Sequence, residues 1–230
     1  MAVRRFLALC IVSFLVTSTL FGQSGASYFC TNEGASLEYF RTKANGDVEW
    51  FHTMKIGEVS ANGPDTLVHY TSHMLNHKGK PVYGDTPVAL TAEVDSCGVT
   101  LNVSESVAAV IRTMLPKNSK IVAEGGFSFL PSAIAPGDTL PDVYSYVKVF
   151  GMGMRVTVYD RQVLRNETII TPAGTFDCVV VRETKLEKGL GRNRHTTADT
   201  WYAPGIGMVR HDTHDLDLRL LTSEVLTAIR

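Results

Sequence analysis

The sequence has no second long apolar run after its first two dozen residues, no excess of basic charge, and no closely spaced cysteine pair. Each absence removes a class of function. Without a later apolar stretch of about 20 residues there is no candidate transmembrane helix beyond the leader described below. The 230 residues carry 22 Lys and Arg against 23 Asp and Glu, a net charge of -1. With no basic excess to displace counterions, nucleic acid is not the expected partner. The cysteine spacing fits neither a zinc knuckle nor a redox dithiol. Local catalytic phrases are missing too: there is no Gly-x-Ser-x-Gly elbow, no paired-histidine zinc motif and no phosphate-cradling glycine loop. Only a catalytic set assembled from distant positions would escape such a scan.

What is present begins with Arg4 and Arg5, followed by the apolar run Phe6 to Val16 and small residues around Gly22, Gly25 and Ala26. That order predicts a secretory signal peptide over 1–22, with a cleavage boundary as late as 26. The remainder, 27–230, is then one exported domain in the periplasm or at the cell surface. Loss of two arginines and no acid moves its net charge to about -3. Cys10 leaves with the leader, and Cys30, Cys97 and Cys178 remain in a compartment where a disulfide is admissible.

Hydrophobic periodicity of two dominates. Val48, Trp50, His52, Met54 and Ile56 share one face, as do Met154, Val156 and Val158, and also Leu216, Leu218 and Leu220. Turn signals separate the runs, notably Asn45-Gly46, where a hairpin with positive φ at both central residues is expected. Gly151 and Gly153 read as easing a strand past a crowded neighbour. From Asn102 to Leu115 the spacing becomes helical, with Asn102 as cap, Glu105 three residues on and Pro116 as stop. The stretch from Phe127 to Pro141 reads as irregular connection. The expected fold is mainly β: about ten strands in one antiparallel sheet system, curled into a barrel, half-barrel or sandwich, with one amphipathic helix near 103–115.

Histidines supply the candidate metal ligands. His69, His73 and His77 recur every four residues, but on a strand such residues lie about 13 Å apart and cannot share an ion. His211, Asp212 and His214 are the remaining candidates, although a strand sends His211 and Asp212 to opposite faces. Imidazole with carboxylate would suit zinc or manganese. No cofactor and no catalytic residue is assigned.

The stretch Asp160 to Arg182, DRQVLRNETIITPAGTFDCVVVR, resembles the TapB-like family of exported bacterial proteins of unknown function. Arg161, Val163, Glu167 and Thr171 to Cys178 carry the likeness. Further pieces are Tyr28-Phe29 with Gly34, Leu37-Glu38-Tyr39, Gly137 to Asp142, Trp201 to Gly207 and Val209-Arg210. Asp160 stands where relatives show Asn, and Cys30 where proline is expected. The resemblance implies an exported β domain without assigned activity, and family-like contexts for Cys97 and Cys178 make them the expected disulfide. The leading expectation is a non-catalytic domain that binds an apolar small molecule, a lipid or an envelope protein. The alternatives are a hydrolase or metal-dependent enzyme near 211–215, and a purely structural or assembly protein.

Overall fold

The computed structural model describes residues 26–230, so the leader expected over 1–22 lies outside the described residues. The described chain forms β1 (Ser36–Lys43), β2 (Val48–Asn62), β3 (Asp65–Asn76), β4 (Val88–Val94) and β5 (Gly98–Asn102). Then come α1 (Val103–Met114), β6 (Ile121–Gly125), β7 (Phe127–Pro131), β8 (Thr139–Leu140) and β9 (Val143–Val149). The long strands β10 (Met152–Thr171), β11 (Gly174–Gly189) and β12 (Arg192–Ala203) follow, with β13 (Gly207–His214) and β14 (Leu220–Ile229) last. Among the described residues, no helix is long and apolar enough to cross a membrane.

Thirteen strands pair in the order β6-β9-β10-β11-β12-β13-β14-β1-β2-β3-β4-β5-β7, and β8 adds to β10 off that path. All pairs are antiparallel, giving a nearly closed, barrel-shaped sheet. Its two end strands, β6 and β7, are consecutive in the chain, so the backbone itself crosses the seam at Gly125 and Gly126. Both glycines have positive φ, 66° and 81°. A Cβ on Gly126 would stand 2.6 Å from Ser104 Oγ, so the seam requires glycine there. Ser104 Oγ donates to Glu124 O at 2.7 Å and meets Ser145 Oγ at 2.9 Å, tying α1 to both β6 and β9.

The helix forms where its pattern predicts. Asn102 Oδ1 accepts from Glu105 N at 3.0 Å, satisfying one of the orphan amides of the first turn. Val107, Ile111 and Leu115 pack against Val147, Val149, Ile121 and Ala123, while Met114 stays exposed. Gly153 also behaves as read from sequence: a Cβ there would lie 2.6 Å from the Tyr146 ring.

Three expectations are corrected. Asn45-Gly46 does make the β1–β2 hairpin, but only Gly46 has positive φ, at 87°. Gly46 N donates to Lys43 O, so the turn is a type I turn followed by a left-handed glycine. The stretch after Phe127 is not wholly irregular, because 127–131 pairs with β5 as the end strand β7. Pro131 closes that strand, where a missing amide is tolerated. Finally, Leu216 and Leu218 lie in the β13–β14 turn and are 55% and 53% exposed, not on a buried strand face. Asp215 Oδ1 accepts from Asp217 N and Arg219 N, both at 2.9 Å, and thereby folds the turn.

Candidate functional site

The alternation of β1 buries Leu37, Tyr39 and Arg41, and that of β14 buries Thr222, Glu224 and Leu226. Together with β2, β3, β4, β5 and β7 they curve round a cavity of about 270 Å³. Its wall also includes Arg161 of β10 and Tyr202 of β12, from across the sheet, so it lies within the curve of the barrel. Phe29, Met54, Tyr70, Leu90, Val99 and Leu130 give it a mainly apolar surface. Phe29 and Tyr70 meet edge to face with ring centres 5.3 Å apart. Burial pushes the Tyr70 phenol up to about 12, so it is neutral across the physiological range. A second space of about 370 Å³ lies between α1 and β4–β5, but Glu93, Glu105 and Arg112 make that groove charged.

Besides Ser128 of β7, polar groups enter the inner cavity at two places. The first is a chain of three side chains from three strands. Glu224 Oε1 lies 2.8 Å from His52 Nδ1, and His52 Nε2 lies 2.9 Å from Ser72 Oγ. His52 and Ser72 line the cavity, whereas Glu224 sits behind them with its side chain 6% exposed. Burial alone would raise the Glu224 carboxyl, but its hydrogen bond with His52 and the charge of Arg41 hold it below the usual carboxylate range. An ionised carboxylate only accepts, so Nδ1 of His52 carries the proton and, in the neutral ring, Nε2 accepts from the Ser72 hydroxyl. Tyr39 stacks on the imidazole at 5.2 Å and 23°, and its own hydroxyl donates to Met208 O at 3.0 Å.

Behind Glu224, Arg41 donates to Thr222 Oγ1 at 2.7 Å and approaches Glu224 Oε2 at 3.4 Å. Its Nε stands 2.9 Å from Glu49 Oε2 as an ion pair without hydrogen-bond alignment. Its guanidinium also covers the Trp50 ring at 4.3 Å.

The second polar entry is Arg161. Asp160 has φ 52°, and the β10–β11 register shifts between Tyr159 and Gln162. Such a bulge re-aims the following side chain. Arg161, 5% exposed, is held by Pro141 O at 2.9 Å and by Glu183 Oε2 at 3.4 Å while lining the cavity. Asp tolerates the left-handed region better than most residues. Farther along β10, Glu167 Oε2 accepts from Trp201 Nε1 of β12 at 3.1 Å, and Arg210 of β13 covers the Trp201 ring at 4.8 Å.

The residues singled out for metal do not converge. His211 is half-buried, and its Nδ1 lies 2.8 Å from Thr200 Oγ1. Burial, then the charge of Lys185, pushes the His211 imidazole down to about 4. Asp212 faces the other way and is fully engaged by Arg210, at 3.0 and 2.6 Å, and by Ser223 Oγ at 2.6 Å. His214 pairs with Thr197 along the ladder, and its buried Nδ1 makes no hydrogen bond. Among the described residues, no three His, Cys, Asp or Glu side chains gather closely enough to hold an ion. His69 and His77 are exposed.

The expected Cys97–Cys178 disulfide is not formed. Cys30, Cys97 and Cys178 are all free, with Cys97 exposed and the other two buried. Cys97 belongs to the β4–β5 turn, where its amide donates to Asp95 Oδ1 at 2.7 Å, whereas Cys178 is a buried residue of β11. Burial, then Asp177 and Glu167, pushes the Cys178 thiol up to about 12.

Two crystal structures share this fold. One is of a candidate exported protein with a YmcC-like fold from Bacteroides fragilis NCTC 9343. The other is of a candidate lipoprotein from Parabacteroides distasonis ATCC 8503. Each is 20% identical, with a TM-score of 0.72 over 89% of this chain and 99% of the other. No curated protein matches the chain. The profile of the DUF3108-like family matches residues 32–226.

Proposed function

The chain belongs to the DUF3108-like family, and on that premise we propose that it is an exported barrel that holds an apolar small molecule in its inner cavity. The observation that carries this reading is the cavity wall: aromatic and aliphatic side chains, with His52, Ser72 and Arg161 as polar fixed points. A mainly apolar hollow with a few placed polar groups is the usual form of a small-molecule site. At about 270 Å³ the space suits a short acyl chain rather than a complete lipid. Arg161, held by Glu183 and Pro141 O through Nε and Nη1, keeps Nη2 to meet a carboxylate or ester head.

Export rests on the leader over 1–22, followed by a domain over 27–230 in the periplasm or at the cell surface. Both structural relatives are described as an exported protein or a lipoprotein, in keeping with that address. Within the family we group the chain with the TapB-like proteins, on the Thr171 to Cys178 phrase and its neighbours.

Calorimetric titration with octanoate tests the binding. One molecule per chain, with the negative heat-capacity change of apolar burial, is the expected result. Leu101→Trp and Met54→Trp, which enlarge two wall residues, should abolish it. An absence of binding in the unmodified protein, or unchanged binding in both variants, contradicts the reading.

A further inference from the structure

We propose that Ser72, His52 and Glu224 form a nucleophilic relay that takes acyl groups from short-chain esters bound in the inner cavity. This rests on the binding role proposed above and gives that cavity a chemistry. Three observations combine. A hydroxyl and an imidazole within hydrogen-bond reach at 2.9 Å, with the imidazole in turn oriented by a carboxylate at 2.8 Å, is the arrangement that activates a serine. The carboxylate is buried and held ionised, which fixes the His52 tautomer so that Nε2 is free to take a proton. The hydroxyl and the imidazole open onto the apolar cavity, with Glu224 behind them. A buried polar chain needed only for packing could have closed on itself, away from the void.

The steps balance without an external oxidant or metal. Ser72 Oγ bonds to the ester carbonyl carbon as its proton passes to His52 Nε2, and the carbonyl π electrons move to oxygen. Collapse breaks the carbon–alkoxide bond, and the leaving alcohol takes the proton from His52. Water then attacks the acyl carbon as its proton passes to His52 Nε2, and collapse breaks the bond from that carbon to Ser72 Oγ, which takes the proton back as the carboxylic acid leaves. Ser72 and His52 are the catalytic residues, and Glu224 is a positioning residue that acts through His52.

The test is labelling of the whole protein by ethyl octylphosphonofluoridate, read by intact mass. The Ser72 oxygen bonds to phosphorus, fluoride leaves, and the proton passes to His52. One adduct per chain is expected, absent from Ser72→Ala and slowed by about 10²-fold or more in His52→Gln. In Glu224→Gln labelling should slow and its pH profile should change, a readout that packing alone would not move. Octanoate titration of the same samples separates the two readings. Octanoate bound with no adduct overturns the relay and leaves the binding role standing. An adduct that survives in Ser72→Ala overturns the relay as well. Neither octanoate binding nor adduct overturns both.

Discussion

His52 Nδ1 lies 2.8 Å from Glu224 Oε1 although 172 residues of chain separate them. The sheet order brings β14, β1, β2 and β3 side by side, so Glu224 reaches across β1 to the imidazole, and Ser72 meets it from β3. The relation is also energetic. Glu224 is the common acceptor for His52 and Arg41 in a region where all three side chains are at most 12% exposed. Replacing it by leucine leaves Arg41 and His52 buried without their shared anion. Glu224→Leu should cost about 3–5 kcal/mol of stability, measured by urea unfolding. A loss under about 1 kcal/mol would contradict the account of this cluster.

Acid should weaken the fold through His211. Its pKa is about 4 in the folded protein, against an ordinary 6.5. Lys185 and Arg41 face it and oppose its protonation, while Glu224 and Asp212 favour it, and burial outweighs them. Between about pH 6.5 and 4 the unfolded chain binds a proton that the folded chain refuses, so stability falls as pH falls through that window. The full effect is about 3 kcal/mol. Glu224, whose carboxyl is held low when folded, adds its own loss only below about pH 4.5. In His211→Gln the dependence between pH 6.5 and 4.5 should flatten, as read by thermal melts.

The thiols should react unequally. Cys97 is exposed, whereas Cys30 and Cys178 are buried and Cys178 is also held protonated. One equivalent of iodoacetamide should be taken up at Cys97 at pH 8, with the other two modified only after unfolding. Melting temperatures with and without reductant should coincide.

Asp160 tests how the bulge in β10 places Arg161. Asp160→Asn should leave stability unchanged, because both residues tolerate φ 52°. Asp160→Val should cost about 1–2 kcal/mol and displace Arg161 from the cavity wall. Urea unfolding gives the first quantity, and weakened octanoate binding reports the second.

Local features were legible in the sequence where one residue type settles the geometry. Asn102 capped the helix as its spacing required, and Gly153 stood against Tyr146 as a strand glycine in a crowded sheet should. The leucines at 216 and 218 misled because alternation of two continues through a turn that Asp215 folds with its own side chain. The β9–β10 turn at Phe150-Gly151 and the β11–β12 turn at Leu190-Gly191 have both central residues at positive φ without the Asn-Gly signal that marks such turns. His52, Ser72 and Glu224 gave no local motif at all. Their meeting depends on which strands are neighbours and in what register, and no short-range spacing encodes that. The cysteine pairing failed for the same reason, since the sequence around Cys97 and Cys178 fixes neither distance nor face.

Native mass spectrometry of the protein purified from its own envelope decides whether the inner cavity holds a ligand. One small apolar molecule should be held per chain and lost in Leu101→Trp and Met54→Trp. A bare chain mass in the unmodified protein, under conditions gentle enough to keep octanoate bound to a reloaded sample, would contradict it.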